Sequence, residues 1–571
     1  MKLAVQWLIE DLCFVLSSVL LDSFVFRNHQ LLLAAKRIPE FQKINSKQIH
    51  MKTNLLITLL TILFFSEQTS AQLKFQKTIG GTGSDYGTQI QPTTDNGYIL
   101  VGTTLSFGAG GYDVYLIKLD NNSDTLWTKT YGGSNNEYGN SVKQTPDGGY
   151  IIAGNSTSFG ANGQDVYLLK TDSLGNVSWS KLFGGAGTDY GNTVLLTSDG
   201  GYLVGGTTQN LGAGNYDAYL IKTDANGNAL WTKTYGGSFE ENGNFVQQTS
   251  DNGFILIGIT QSFGAGGVDI YVVKTNATGD TLWTKTYGDA LDDFGFSIMQ
   301  TADNGYILAG ATNSFGAGSF DCLLMKTDSN GLAQWTKTYG GTDWENGYSM
   351  AQTADDGFIV VGQSYSFGVA SDVYVIRTDA AGDTLWTKTY GGNGYDYENC
   401  ILTTSDGGYL ISASEESFGP NRNIYLIKTD SAGTSNCNEG GTATIVNSIS
   451  MTVASTATNV SSGGSTLPAT SLIGGGASVN ILCTTIGINN VDKTINSVIV
   501  FPNPFSTQLT FVLTDKVQTT VTLFDCLGRH ILQQAFTSSA TMNTEQLAKG
   551  IYFYELRNSK GALTTGKIVK Q

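Results

Sequence analysis

Histidine is nearly absent: the 571-residue chain carries three, His29, His50 and His530. None falls between residues 51 and 529, so Ser-His-Asp triads, Cys-His pairs and His-bearing zinc sites are closed to that whole stretch. Proline is also scarce, at 7 against 71 glycines, which excludes collagen and Pro-rich disorder. Charged residues make up 14%, where a globular chain carries about a quarter, and the net charge is −16. Such a surface repels phosphate backbones, so nucleic acid is not a partner to expect. The six cysteines contain no CxxC pair, so zinc-ribbon and dithiol redox readings fail, and no metal site is read. What is abundant is Gly, Thr, Tyr and Val, with 11% aromatic residues, the composition of short strands joined by tight turns.

Self-comparison organises those strands. Variants of Trp-Thr-Lys-Thr-Tyr-Gly-Gly start at Phe75, Trp127, Trp179, Trp231, Trp283, Trp335 and Trp386, a period of 52 residues that shortens to 51 at the last step. A turn of the form Asp-x-Gly-(Tyr/Phe) recurs in register at Asp95, Asp147, Asp199, Asp251, Asp303, Asp355 and Asp406. In the second unit, Trp127 to Tyr131, Ser141 to Thr145, Tyr150 to Asn155 and Asp165 to Thr171 read as four strands, with a hairpin turn at Pro146-Asp147-Gly148-Gly149. Four antiparallel strands repeated about every 50 residues define a β-propeller blade, and seven units close a ring. Where an eighth Trp is due, Cys437 stands instead, so the strand around Phe75 is expected to complete the last blade.

Two basic positions recur in every unit: Lys77, Lys129, Lys181, Lys233, Lys285, Lys337 and Lys388; and Lys118, Lys170, Lys222, Lys274, Lys326, Arg377 and Lys428. Sevenfold recurrence reads as intrablade ion pairing or stem packing. A ring of carboxylates follows the Gly-Gly turn: Asp85, Glu137, Asp189, Glu241, Asp293, Glu345 and Asp396. As catalytic or cation-binding groups they would form an acidic face; as turn residues each would accept N–H bonds locally, and the Asp/Glu interchange favours the turn reading. Asp113, Asp165, Asp217, Asp269, Asp321 and Asp372, with Asn423 last, are read the same way.

Departures from the repeat point better to a ligand. Blade 4 adds Phe239 and Glu240, blade 6 offers Asp343 and Trp344, and blade 7 carries Tyr395 with Glu415, Glu416 and Arg422. Aromatics beside carboxylates suit sugar stacking with hydroxyl hydrogen bonds, so Phe239, Glu240, Asp343, Trp344, Tyr395 and Arg422 are the candidate binding residues. No catalytic residue and no cofactor is assigned.

The repeats resemble propeller repeats of secreted Bacteroidetes-type proteins. Asp224-Ala225-Asn226-Gly227 leading to Trp231 is similar to the Trp-docking motif of quinoprotein propellers, but the Cys-Cys pair those enzymes use is missing. Thr93 to Gly97 is similar to half of a sialidase Asp box, but sialidases need three arginines and the repeats hold only Arg377 and Arg422.

The ends of the chain read as export signals. From Met51, Lys52 precedes the apolar run Leu55 to Phe65 and the small residues Thr69-Ser70-Ala71, a secretory leader too short to serve as a transmembrane anchor. Cleavage between Ala71 and Gln72 is expected, and residues 1–50 read as an upstream extension before the true start at Met51. Outside the cell disulfides persist, and Cys437 and Cys483, which flank a repeat-free segment, are the candidate pair. Residues 437–491 turn to Ser, Thr, Gly, Val and Ala, a linker or an irregular β extension. Residues 492–571 read as a small β-sandwich. Their motifs Pro502-Asn503-Pro504, Leu527-Gly528-Arg529, Gly550-Ile551-Tyr552 and the terminal strand with Lys567 resemble the C-terminal sorting domain of the type IX secretion system. That resemblance implies export to the periplasm, recognition by the type IX machinery, and release or attachment at the cell surface.

The expected molecule is therefore all-β: a leader at 51–71, a monomeric seven-bladed propeller at 72–436, the segment 437–491, and a sorting domain at 492–571. Its expected role is non-catalytic binding or adhesion to extracellular glycan or protein. The alternative is a carboxylate-dependent glycoside hydrolase of endoglucanase type, which missing histidines do not exclude.

Overall fold

The computed structural model describes residues 72–570 apart from 161–162, 210, 457–458, 462–464, 469–471, 475–477, 487–497, 502–504, 514–517, 526–528 and 559–562. The extension, the leader with Ala71, Pro502-Asn503-Pro504 and Gly528 lie outside the described residues.

Seven antiparallel sheets follow one another along residues 73–429 and form a seven-bladed β-propeller. Blade 1 runs from Asp85–Pro92 through Tyr98–Thr104 and Asp113–Leu119 to Thr125–Gly132, from innermost to outermost strand. Its second and third strands are almost wholly buried, because they are sandwiched between neighbouring blades. That two-sided burial explains their continuous apolar runs, such as Val114 to Ile117, in place of alternation.

The blade is out of phase with the sequence unit. Each Trp-bearing strand is the outermost strand of the blade before the next three strands, so Thr125–Gly132 belongs with Asp85, not with Glu137. The phase shift leaves blade 7 without an outer strand of its own, and Leu73–Gly80 supplies it, pairing Phe75 with Lys428 and Thr78 with Tyr425. The ring is thus closed by joining its two ends.

Outermost strands also dock on the following blade. Tyr131 donates its hydroxyl to Gly175 O at 2.7 Å, and Tyr235 to Gly279 O at 2.7 Å. Gly175 has φ +77°, and a Cβ there would lie 3.1 Å from the Trp127 ring, so this turn needs glycine twice over. The first lysine set corrects the intrablade expectation: Lys77 reaches Asp124 at 2.6 Å, Lys233 reaches Asp280 at 2.5 Å and Lys337 reaches Asp383 at 2.6 Å, each across a blade junction. The phase shift is the reason, since these lysines sit on the strand that faces the next blade's turn.

The segment after the repeats is a β extension, and its path is regular. Short strands pair antiparallel with the outer edge of each blade in reverse order: Glu439–Gly441 on blade 6, Ile445–Ser448 on blade 5, Thr452–Ser455 on blade 4, Asn459–Ser461 on blade 3, Ser465–Pro468 on blade 2, Leu472–Gly474 on blade 1, and Ser478–Ile486 on the blade 7 strand Leu73–Gly80. Every blade sheet therefore has five strands, not the four of the repeat. An open outer edge exposes unpaired N–H and C=O groups, and a Thr/Val/Ser-rich strand satisfies them. Cys437, before the first of these strands, is disulfide-bonded to Cys483 in the last, so the belt closes covalently around the ring. Cys322 and Cys400 are free and buried.

The tail forms a sandwich of a three-stranded sheet (Val498–Phe501, Gln508–Leu513, Ser539–Asn543) and a four-stranded one (Thr519–Asp525, His530–Phe536, Gly550–Asn558, Leu563–Lys570). Leu509, Phe511, Val521, Leu523, Leu556 and Ile568 share its core, and Tyr552 is buried against Phe505. Gly550 opens one strand, Lys567 is exposed on the last, and Arg529 pairs with Asp525 at 2.7 Å. His530 is an exposed strand residue packed against Phe524.

Candidate functional site

The ring carboxylates are buried and bonded within their own turns. Glu137 accepts from Gly133 N at 2.6 Å, Ser156 Oγ at 2.7 Å and Ser158 N at 3.0 Å; Glu241 and Glu345 repeat the pattern. Asp85, Asp189, Asp293 and Asp396 likewise accept the N–H four residues upstream. Beside them stands the second set, and burial pushes Asp113, Asp165, Asp269 and Asp321 up to about 6. At the hairpin turns each Asp instead pairs with the second basic set, as in Lys170–Asp147 and Lys222–Asp199, both 2.9 Å.

All seven innermost strands meet at a central cavity of about 290 Å³. A perfect repeat would line it with seven copies of one residue. Instead the position that reads Thr88, Asn140, Asn192, Asn244 and Asn399 on five blades is Phe296 on blade 5 and Tyr348 on blade 6, with Phe245 one step away on blade 4. Asn140, Asn192 and Asn244 each donate one amide N–H to the next blade, on Gly191 O, Gly243 O and Gly295 O at 3.1, 2.9 and 2.8 Å. These bonds fix the amides and leave their carbonyl oxygens without a partner among the described residues.

Tyr348 enters the cavity at the column that lines it on every blade, and blade 6 is irregular there. Its innermost strand, Ser349–Gln352, has four residues where blade 5 has eight. Through residues 346–348 the ladder is broken: Asn346 N and Tyr348 N still donate to Gln363 O and Val361 O, but Gly347 N donates to Gly310 O of blade 5, and Asn346 Oδ1 accepts from Gln363 N at 2.8 Å. Asn346 Nδ2 in turn donates to Glu398 Oε1 at 2.7 Å. Glu398 occupies a position that is glycine in the six other blades (Gly139, for example), and burial pushes its carboxyl up to about 7.

From the cavity a run of touching rings leads outward on the carboxylate-ring side. Tyr348 meets Phe296 at 5.3 Å between centroids; Phe296 meets Phe294, Phe294 meets Phe320, Phe320 meets Trp344, Trp344 meets Tyr365 at 5.7 Å, and Tyr365 meets Tyr395 at 6.4 Å. Tyr348, Tyr365 and Tyr395 are exposed. Of the six candidate residues the structure joins Trp344 and Tyr395 through Tyr365, with Asp343 beside Trp344 in a shallow hollow that also holds Gln363. Arg422 is occupied: it pairs with Glu416 and lies over the rings of Tyr397, at 3.8 Å, and Tyr86, at 5.0 Å. Phe239 and Glu240 stand in the connection from blade 3 to blade 4, Phe239 exposed and outside this run of rings, Glu240 bonded to Asn215 of blade 3 at 3.0 Å. Sequence reasoning missed Tyr365, Tyr348, Phe296 and the amides, although aligning the seven units shows Phe296 and Tyr348 as departures from the Asn of the innermost-strand column, and Tyr365 as a departure just after the second strand.

Residues 499–571 match the family model described as a secretion system C-terminal sorting domain. Among curated proteins, the regulatory protein FlaEY of Caulobacter vibrioides is 24% identical over 380 residues, covering 60% of this chain; the match spans only 38% of that relative's length. Among solved structures, dihydro-heme d1 dehydrogenase NirN in complex with DHE overlaps 82% of this chain and 80% of its own, at 12% identity and TM-score 0.31. The extracellular domain of the putative one component system BT4673 from B. thetaiotaomicron overlaps 85% of this chain and 80% of its own, at 8% identity and TM-score 0.20. The protein is thus an all-β propeller bearing a type IX sorting tail. That tail marks the chain for export to the cell surface or the extracellular space. No helix among the described residues is long and apolar enough to cross a membrane.

Proposed function

We propose that this protein is a secreted or surface-held propeller that binds extracellular glycan without cleaving it. Its leader at 51–71 starts export, the domain at 492–571 engages the sorting machinery, and one monomeric ring presents the binding face. The observation that carries the reading is the run of rings Trp344–Tyr365–Tyr395, with Tyr365 and Tyr395 exposed, Trp344 half-buried and the exposed Asp343 beside them. Aromatic faces stack on the C–H faces of sugar rings, and neighbouring polar groups bond the hydroxyls. The seven repeat carboxylates do not compete for a hydrolytic role, because each is buried and bonded within its own turn.

The test incubates the secreted protein with a panel of soluble and insoluble polysaccharides and scores retention and new reducing ends in the same tubes. Retention without cleavage, reduced at least tenfold by Trp344→Ala, is the expected result. Cleavage would replace the reading with a hydrolase. Absence of retention on every glycan would turn the search to a protein ligand.

A further inference from the structure

The central cavity differs from the outer face in one respect that identifies an occupant: its two walls are chemically opposite. One wall presents the amides of Asn140, Asn192 and Asn244, and the other presents the rings of Phe245, Phe296 and Tyr348. Each amide is held by its bond to the neighbouring blade, so its carbonyl oxygen is preorganised and costs little further ordering when it accepts a hydrogen bond. None of the residues lining the cavity is charged.

Those features discriminate between ligand classes. An anion would find only Lys143 within electrostatic reach of the wall, at Cys400, with its charged form disfavoured by burial, and would approach through a molecule of net charge −16. A wholly apolar ligand would strip water from the amide carbonyls without replacing it, at a cost for each unpaired group. A hydroxyl-rich ring with one apolar face satisfies both walls at once. The volume of about 290 Å³ lies at the small end of the range of about 300–1,000 Å³ for ligand pockets, which suits one ring better than a chain.

We propose that the central cavity is a binding site for a single neutral sugar ring. The ring stacks on Phe296 and Tyr348, and its hydroxyls donate to the amide oxygens of Asn140, Asn192 and Asn244. Because the ring-to-ring path runs from Tyr348 to Tyr395, a glycan lying on the outer face can deliver its terminal residue into the cavity. A free monosaccharide offers the same chemistry. The proposal deepens the glycan-binding reading and rests on it for the delivery route, not for the site.

Titration calorimetry of the full secreted protein tests it, with neutral hexoses and pentoses in one arm. The second arm uses oligosaccharides with free or chemically blocked chain ends. The variants are Ser349→Phe, which fills the cavity, and Tyr348→Ala, which removes one stacking face; thermal melting confirms that each is folded. Binding of a free neutral sugar that falls at least tenfold in either folded variant supports the site. Binding only of open-ended oligosaccharides, lost in the same variants, supports it with the glycan terminus as the source. If sugars bind the parent protein and both folded variants equally, or if no sugar from either arm binds, the cavity proposal is overturned. The failures are separable: polysaccharide retention that Trp344→Ala abolishes and Ser349→Phe leaves intact keeps the outer face and removes the cavity. Free-sugar binding lost in Ser349→Phe, in a protein that no polysaccharide retains, does the reverse.

Discussion

The blades and the belt around them are both β-structure, yet different forces hold them. In a blade the middle strands are buried on both faces, and Tyr115, Tyr131, Tyr235 and Tyr287 are fully enclosed. In the belt, strands such as Ile445–Ser448 and Thr452–Ser455 are four residues long and exposed or half-buried, with Ile445 at 44% and Val446 at 39%. Among its described side chains Met451 is buried in a blade core, and Ile449, Val453 and Leu482 pack against the blades; the rest of what holds the belt is main-chain pairing to seven edges and one covalent closure. Side-chain identity should therefore matter greatly inside the blades and little at the exposed positions of the belt, where the disulfide matters most.

The largest effect is expected in a blade. Tyr235→Ala should cost about 3–5 kcal/mol in denaturant unfolding, since it opens a cavity and leaves Gly279 O without its donor. Next is the belt's closure. Replacing Cys437 and Cys483 together by Ser frees a 46-residue span, for which chain-entropy arguments give about 4 kcal/mol at most, and calorimetry should register a lower Tm. A double variant that melts like the parent would show that the belt merely decorates the ring.

Charge sharpens the comparison from inside blade 7. The folded-state value of Glu398, about 7, lies above the ordinary carboxyl value, so its stabilising protonation is complete below about pH 4.5 and is lost as pH rises through 7. Glu398→Gln should therefore raise stability by up to about 3 kcal/mol at pH 8 and by little at pH 5. The blade-junction carboxylates Asp113, Asp165, Asp269 and Asp321, at about 6, act in the same direction. The hairpin carboxylates oppose them in acid: the Thr145 hydroxyl, together with Lys170 and against the cost of burial, holds Asp147 at about 2, and that stability is lost as pH falls from about 4 through 2. Thermal melts across pH should thus peak near pH 4–5 and decline on both sides. The smallest effect belongs to the belt's surface: Val446→Thr should change stability by less than about 0.5 kcal/mol, and a larger loss would mean that belt side chains pack as blade side chains do.

Much of this contrast was legible in the sequence. The 52-residue period, the Asp-x-Gly turns and the paired Lys/Asp columns are local, because each turn bonds within itself, and they recur whenever the blade recurs. The period alone does not fix the phase of the blade, since it is the same wherever the unit is cut; Cys437 in place of an eighth Trp pointed to the Phe75 strand as the last blade's outer strand, and pairing of Phe75 with Lys428 bears that out. The binding face was half legible. Trp344 and Tyr395 stand out as departures in loops, whereas the meaning of Tyr348 depends on which strands face the channel and that of Tyr365 on which loops meet beside Trp344.

The sequence by itself determined a ring of seven units, the buried Lys–Asp hairpins and a sorting tail, because all three are written in short-range patterns of bonding and strand alternation. Tertiary structure alone decided that Thr- and Ser-rich residues after Cys437 encircle the ring, and that the two walls' amides and aromatic rings, from five different blades, face one another across one cavity. Both depend on contacts between residues tens to hundreds of positions apart, and no local pattern encodes which distant edge a strand will find.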